Sequence, residues 1–127
     1  MFARREVLGA GAALLILQGC GRHMDELDGQ ADLYGLIGQI KAQPGKRADL
    51  IAILKDGTGQ MPGNLAYMIN EDRDDPDAIW IVEIWKDQAS HAASLSLPSV
   101  QAAIAKGRAL IAGFGTRANV RPVAGTH

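Results

Sequence analysis

The clearest pattern in the chain is the alternation of residues 79–86, which places apolar side chains on both faces of an extended segment. One face carries Ile79, Ile81, Glu83 and Trp85, and the other carries Trp80, Val82, Ile84 and Lys86. β-Branched and aromatic residues on both faces predict a strand that is covered on both sides. At Asp87 an alanine-rich segment begins, which predicts a helix that Asp87 caps and that carries His91. A reactive site is expected in this stretch, where two tryptophans, a glutamate and a histidine come together.

Two patterns, the two-residue alternation of strands and the apolar stripe of amphipathic helices, predict the other elements of the chain. Further strands are expected at residues 32–42, 65–70 and 116–123, and further helices at residues 46–59 and from residue 98 onward. The buried stripe of the last helix is marked by Val100, Ala103, Ile104, Gly107 and Ile111, and residues 112–115 are interpreted as the stop after it. Gly35 and Gly38 in the first strand indicate a bulge, a bend or a group that needs the space. The order βαββααβ predicts a ferredoxin-like α+β sandwich in residues 32–125.

One face of the predicted sheet packs on the helices, and the other is expected to carry tyrosine, tryptophan and isoleucine rather than charge. A single domain of this size cannot cover such a face by itself. We therefore expect a homodimer whose two sheets pack face to face.

The first twenty residues have the layout of an export signal. Arg4 and Arg5 precede an apolar run at residues 7–17, which is too short to span a bilayer as a helix. Leu17-Gln18-Gly19-Cys20 resembles a bacterial lipobox, so Cys20 is the expected site of lipidation, and residues 21–31 are interpreted as a flexible tether. This predicts an exported lipoprotein, anchored to a membrane on its periplasmic or extracellular face. The alternative is a signal anchor that is not processed.

Composition narrows the classes of function. The formal net charge is −1, so no basic footprint suggests nucleic acid as a partner. One cysteine excludes an intrachain disulfide, and three histidines far apart in sequence do not predict a metal site. The acidic segment 71–77 lacks the spaced oxygen ligands and the glycine of a calcium loop. It is therefore interpreted as a solvated hairpin connection.

Short motifs along residues 33–125 resemble one family. They are Tyr34-Gly35-Leu36, Gln43-Pro44-Gly45-Lys46-Arg47, Met61-Pro62-Gly63, Asp74-Asp75-Pro76-Asp77-Ala78, Glu83-Ile84-Trp85, His91 with Ala93-Ser94-Leu95, Leu97-Pro98, and Leu110-Ile111-Ala112-Gly113-Phe114. Together they resemble the antibiotic biosynthesis monooxygenase (ABM) family, specifically its quinol monooxygenase branch. Ser94 stands where many family members carry a histidine.

The resemblance implies a dimeric α+β barrel that oxidises phenolic or quinol-type aromatic substrates with molecular oxygen, without a bound metal or flavin. A dihydroxyarene that loses a proton becomes electron-rich enough to reduce oxygen. The protein then needs an apolar pocket, a base and polar groups that hold the anion. The candidate catalytic residues are His91 and Glu83, and the candidate substrate-binding residues are Trp85, Tyr34, Tyr67, Asn64 and Ser94.

Each candidate also has a structural interpretation. His91 can be a surface histidine that pairs with Asp87, four residues earlier on the helix. Glu83 is expected to pair with Arg117, Arg121 or a partner chain, or else to lie in a pocket. Core packing is the ordinary role of both tryptophans and of the half-buried tyrosines, and a turn is the ordinary place of Asn64.

Two functions from different classes remain open at this point. The first is a membrane-anchored, cofactor-independent monooxygenase that acts on quinol-like or phenolic substrates. The second is a non-catalytic lipoprotein that keeps the barrel and binds a small apolar ligand or a partner. An open apolar cavity with His91 facing it favours the enzyme, whereas a filled cavity favours the second function.

Overall fold

The computed structural model describes residues 32–125, of which Asp32–Pro122 form one compact unit and residues 123–125 form no helix or strand. No helix within the described residues is both long enough and apolar enough to cross a membrane. The predicted signal segment with Cys20 and the predicted tether lie outside the described residues. Lipidation and export therefore stay predictions from the sequence.

The elements follow the order βαββααβ, as the sequence predicts. They are β1 (Tyr34–Ala42), α1 (Arg47–Gly57), β2 (Asn64–Glu71), β3 (Ala78–Trp85), α2 (Gln88–Ser94), α3 (Pro98–Gly107), a 3-10 turn (Arg108–Leu110) and β4 (Ile111–Val120). The strands form one antiparallel sheet in the order β2-β3-β1-β4. This arrangement is the ferredoxin-like α+β fold, so the predicted fold class is confirmed.

The last strand begins earlier than predicted. Residues 112–115 do not stop the chain but belong to β4, and Ile111 is the first residue of β4 rather than part of the last helix. The register between β1 and β4 shifts twice, and each shift inserts one extra residue in β4. These bulges interrupt the two-residue alternation of apolar side chains. Gly115 sits against the side chain of Gln39, where a Cβ atom would collide. A glycine-rich, bulged strand therefore looks like a loop in the sequence.

Arg47, at the start of α1, holds the acidic connection between β2 and β3. Its guanidinium donates hydrogen bonds to the carbonyl oxygens of Asp72, Asp75 and Ala78 at 3.1, 2.9 and 3.3 Å. It also lies 3.7 Å from the carboxylate of Glu71. The predicted hairpin connection is thus tied to a helix by one side chain, and two of the family-like motifs meet at this contact.

Two carboxylates inside the same loop, those of Asp72 and Asp75, accept hydrogen bonds from several neighbouring donors. Asp72 accepts hydrogen bonds from the indole N–H of Trp80 at 2.8 Å and from the backbone of Asp74 and Asp75 at 2.8 and 2.9 Å. These donors, the indole first, lower the pKa of Asp72. The Lys41 ammonium group bonds Asp75 and is the main reason that the pKa of Asp75 is also lowered. The loop therefore has a structural role in holding β2, β3 and α1 together.

The hydrophobic core lies between the sheet and the helices. Its centre consists of Ala42, Leu50, Ile79 and Ile81, and Leu50 and Ile79 are fully buried. Around this centre the packing is looser, since half-buried Ile40, Tyr67 and Ile111 surround it. The looser part of the interface is where the candidate site forms.

The opposite face of the sheet is apolar and partly open. Met68 and Ile37 are exposed on it, and Val82 and Ile84 are half-buried between them. This agrees with the apolar second face that the sequence predicts for tryptophan and isoleucine. The tyrosines were expected there too, but Tyr34 and Tyr67 lie on the helix-facing side of the sheet, in register with Trp85 and Glu83. The face-to-face homodimer remains a prediction.

Candidate functional site

A cavity of about 630 Å³ lies between the helix-facing side of the sheet and the three helices. Its walls are mainly apolar and include Ile40, Leu50, Leu54, Met61, Leu95, Val100, Ile104, Ile111 and Phe114. Its polar groups are Thr58, Tyr67, Glu83, His91, Ser94 and Arg108. Small-molecule sites have this size and this balance of apolar walls and few polar groups.

A smaller recess of about 320 Å³ adjoins the cavity over β1. It shares Tyr67, Glu83 and His91 with the cavity, and Gly38 is part of its wall. A Cβ atom on Gly38 would meet nothing closer than a backbone oxygen at 4.0 Å. The missing side chain of Gly38 therefore leaves space for a ligand, which accounts for a glycine in the middle of this strand.

The helix that carries His91 is fixed at its first turn. Asp87 accepts a hydrogen bond from the backbone N–H of Ser90 at 2.8 Å, which confirms the predicted cap. Hydrogen bonds from Ser90 lower the pKa of Asp87. Gly63, at a φ of +82°, lets the preceding turn approach closely, since a Cβ atom there would lie 2.5 Å from the Ser90 hydroxyl. The strand, the turn and the cap together set the direction of α2.

His91 is half-buried at the cavity wall and packs on two aromatic rings. Its imidazole centroid lies 5.4 Å from that of Tyr34 and 5.5 Å from that of Trp85, which it meets edge to face at 72°. The indole N–H of Trp85 donates to Glu83 Oε1 at 2.9 Å. Tyr34, His91, Trp85 and Glu83 thus form a continuous chain of contacts. Tyr34, a predicted substrate-binding residue, lines neither the cavity nor the recess and stands behind His91.

Trp85 borders the cavity but has no surface open to solvent. A fully buried ring cannot touch a ligand unless its neighbours move. Its place in the site is therefore behind His91 and Glu83, where it contacts both. Trp80 lies on the opposite face, as predicted.

Glu83 and Tyr67 face each other on neighbouring strands. Burial, and after it the negative charge of Glu83, raise the pKa of Tyr67. Its phenol therefore stays protonated at neutral pH and is able to donate a hydrogen bond. Within residues 32–125 neither Arg117 nor Arg121 forms an ion pair with Glu83, so this part of the expected pairing is wrong. Glu83 lies in a pocket instead, which was the alternative, and pairing with a partner chain stays a prediction. The carboxylate is instead satisfied by the indole N–H of Trp85.

Two of the predicted substrate-binding residues, Asn64 and Ser94, use their side chains in hydrogen bonds to the backbone. Asn64 is not part of the cavity wall, and its amide donates to the carbonyl oxygens of Ala66 and Ile84 at 3.0 and 3.2 Å. It thereby holds the register shift at the start of β2. Ser94 does line the cavity, is 5% exposed, and donates to the carbonyl oxygen of His91 at 2.6 Å.

Sequence reasoning missed the residues at the mouth of the cavity. Phe114, Leu95 and Ile104 line it and are 75, 49 and 44% exposed. Phe114 lies in residues 112–115, which the sequence pattern predicts to be the end of the last helix. Ile104 was expected in the buried stripe of that helix. The exposure of Ile104 follows from the cavity, which takes the place of core packing along that side of α3. No signal in the sequence distinguishes an apolar cavity wall from an apolar core.

Fold and cavity define a ferredoxin-like α+β domain with a mainly apolar cavity as its candidate ligand site. The sequence model of the antibiotic biosynthesis monooxygenase family matches residues 33–106. The chain belongs to this family, and membership supports a general monooxygenase activity. No curated protein matches the chain.

Solved structures agree with this assignment. The chain is 55% identical to a Chloroflexus aurantiacus protein named for the family, with a TM-score of 0.73, and the match covers 75% of this chain and 97% of the other. A Caulobacter crescentus protein named for the family is 18% identical, with a TM-score of 0.67 and coverage of 74% and 92%. A Pseudomonas aeruginosa protein is 21% identical, with a TM-score of 0.66 and coverage of 75% and 98%. The last two matches bear on the fold alone.

Proposed function

We propose that this protein is a cofactor-independent monooxygenase that oxidises quinol-like or phenolic aromatic substrates with molecular oxygen. The observation that carries the proposal is the mainly apolar cavity of about 630 Å³ whose polar groups include a histidine, a carboxylate and a protonated phenol. An aromatic substrate matches the apolar walls, and its acidic hydrogen matches the imidazole. Within residues 32–125 no three His, Cys, Asp or Glu side chains are grouped in a way that could hold a metal ion.

His91 is the proposed base. In an anthrone-type substrate, which we use as the simplest case, the base takes one proton from the ring methylene and leaves an electron-rich anion. The anion gives one electron to oxygen, and the two radicals combine to a hydroperoxide. Loss of water then yields the carbonyl, so one oxygen atom enters the product and the other leaves as water with the two methylene hydrogens. The Tyr67 phenol donates to the substrate oxygen, which stabilises the anion.

Glu83 and Trp85 are the proposed supports of this chemistry. Trp85 contacts the imidazole through its ring edge and holds Glu83 through its N–H. Glu83 lines the same cavity as the proposed base and is held there by Trp85. Trp85 thus fixes the positions of both polar groups without touching the substrate.

The test is oxygen uptake by the purified full-length protein with anthrone and with menadiol, corrected for autoxidation. His91→Ala is expected to lower kcat at least about 100-fold, which is the usual contribution of a general base. Gln88→Ala is the matched control, since Gln88 is exposed on the same helix and does not line the cavity. Uptake that is unaffected by His91→Ala would remove His91 as the base. No uptake above autoxidation would contradict the enzyme.

The second candidate is a non-catalytic protein that binds a small apolar ligand in the same cavity. It is favoured by Ser94, which commits its hydroxyl to the His91 carbonyl oxygen and supplies no second imidazole. Calorimetric titration of anthrone under argon separates the two functions. Binding without later oxygen uptake in air would support this candidate.

We also propose that the protein works as a homodimer. The exposed Met68 and Ile37 on the helix-free face of the sheet support this proposal. Light scattering at micromolar concentration is expected to give twice the mass of one chain. A monomer in that measurement would contradict the proposal.

A further inference from the structure

Arg117 is a charged side chain that borders the candidate site. It lies on β4 opposite Gly38 of β1 and lines the recess that adjoins the cavity. It is exposed and, within residues 32–125, its guanidinium makes neither a hydrogen bond nor an ion pair. A guanidinium beside an apolar recess is a ready donor for a carboxylate.

The strand register places Arg117 on the same side of the sheet as Glu83. Glu83 pairs with Leu36, two residues before Gly38 on β1, and β1 lies between β3 and β4. Two strand spacings and a two-residue offset put the Cα atoms of Glu83 and Arg117 about 12 Å apart. Leu36 and Gly38 of β1 line the recess between them, and the absent side chain of Gly38 leaves space there for a ligand.

The two charges make one end of the recess negative and the other end positive. A substrate carboxylate is repelled by Glu83 and attracted by Arg117, while a substrate hydroxyl is accepted at the end where Glu83, His91 and Tyr67 lie. A two-ring aromatic with a hydroxyl at one end and a carboxylate at the other is long enough to reach both groups. A neutral ring has no corresponding preference.

We propose that Arg117 selects aromatic substrates that carry a carboxylate at the end opposite the reacting hydroxyl. The inference rests on the proposed function, because it names the substrate class of the same site. Arg117 is a specificity-determining residue here, and it takes no part in the proton transfer.

The test is calorimetric titration of the full-length protein with a hydroxynaphthoate whose hydroxyl and carboxylate stand at opposite ends, and with its methyl ester. The acid is expected to bind more tightly than the ester. Arg117→Gln is expected to weaken binding of the acid about fivefold, as for an exposed ion pair, and to leave the ester unchanged. Arg117→Lys is expected to keep part of the preference. Arg73→Gln is the matched control, since Arg73 is an exposed arginine of the β2–β3 loop and does not line the cavity or the recess.

The outcomes separate this inference from the proposed function. Equal binding of acid and ester by the unchanged protein would overturn the inference and leave the enzyme intact, as would an acid preference that survives Arg117→Gln. An acid preference that Arg73→Gln removes equally would also overturn it, because the effect would then be one of net charge. Binding of neither compound, together with no oxygen uptake from anthrone, would overturn both. Loss of the acid preference in Arg117→Gln alone would support the inference.

Discussion

Trp85→Phe is the substitution that best tests how the wall of the site is held. The indole ring of Trp85 is fully buried, and its N–H donates to Glu83 Oε1 at 2.9 Å. Phenylalanine keeps an aromatic ring at this position but removes the donor. Glu83 then loses its hydrogen bond, and His91 loses part of the ring edge against which it packs.

The expected cost combines two effects. Phenylalanine is roughly 40 Å³ smaller than tryptophan, and at about 24 cal/mol per Å³ the resulting cavity costs about 1 kcal/mol. Loss of a hydrogen bond to a charged group costs about 1.5 kcal/mol more. The free energy of unfolding is therefore expected to fall by about 2.5 kcal/mol, which lowers Tm by about 10 °C or more in a domain of this size.

Trp80→Phe is the matched control. Trp80 also donates its indole N–H to a carboxylate, that of Asp72 at 2.8 Å, but it is only half-buried and lies on the other face of the sheet. Denaturant unfolding followed by circular dichroism is expected to show a smaller loss than that found for Trp85→Phe, because a half-buried ring leaves a smaller cavity and its hydrogen bond is partly replaced by water. Oxygen uptake with anthrone is expected to fall in Trp85→Phe alone. Equal losses of stability and of activity in the two variants would refute the reasoning.

Two further predictions concern the turn before β2 and the acidic loop. Gly63→Ala is expected to destabilise the protein at least about twice as much as Gly45→Ala in denaturant unfolding. Both residues have a positive φ, which disfavours alanine at either position. Only at Gly63 would the added Cβ atom also collide with Ser90, whose own Cβ atom would lie 2.6 Å away. Similar losses would contradict this. The pKa values of Asp72 and Asp75 are lowered in the folded protein, so their contribution is fully present above the unfolded pKa near 4 and is lost as pH falls through the lower folded values. The urea midpoint is expected to drop below about pH 4, and a double substitution of these two aspartates by asparagine is expected to flatten that drop; an equal drop in both proteins would contradict the assignment.

The sequence predicts the scaffold well because the scaffold is made of local signals. The alternation of residues 79–86 and the cap at Asp87 each depend on a few neighbouring residues, and both were confirmed. The start of β4 was missed because its bulges depend on pairing with β1, which lies about seventy residues earlier. The partner of Glu83 was missed for a different reason. Either an arginine or an indole can satisfy a carboxylate, and only the packing of Trp85 decides between them.

The sequence predicts the residues of the candidate site that lie on β3 and α2, but it does not predict those that lie on β4. His91 and Glu83 follow each other closely in the sequence, so one strand-to-helix connection brings them to the same wall. Phe114 and Arg117 reach that site only through the sheet order β2-β3-β1-β4, which no local pattern contains.

The site has one part on β3 and α2 and another part on β4, and family membership bears on these two parts differently. The family match ends at residue 106, so it includes the wall with His91 and Glu83 but not Phe114 or Arg117. Several of the family-like motifs hold the scaffold in place, as Arg47 and Gly63 do. The matched part includes most of the cavity wall, with Leu95 and Ile104 of its mouth. Phe114 at the mouth and Arg117 in the recess come from a segment outside the match. The proposed selection of substrates by Arg117 therefore has to be tested on β4, because the family match does not reach it.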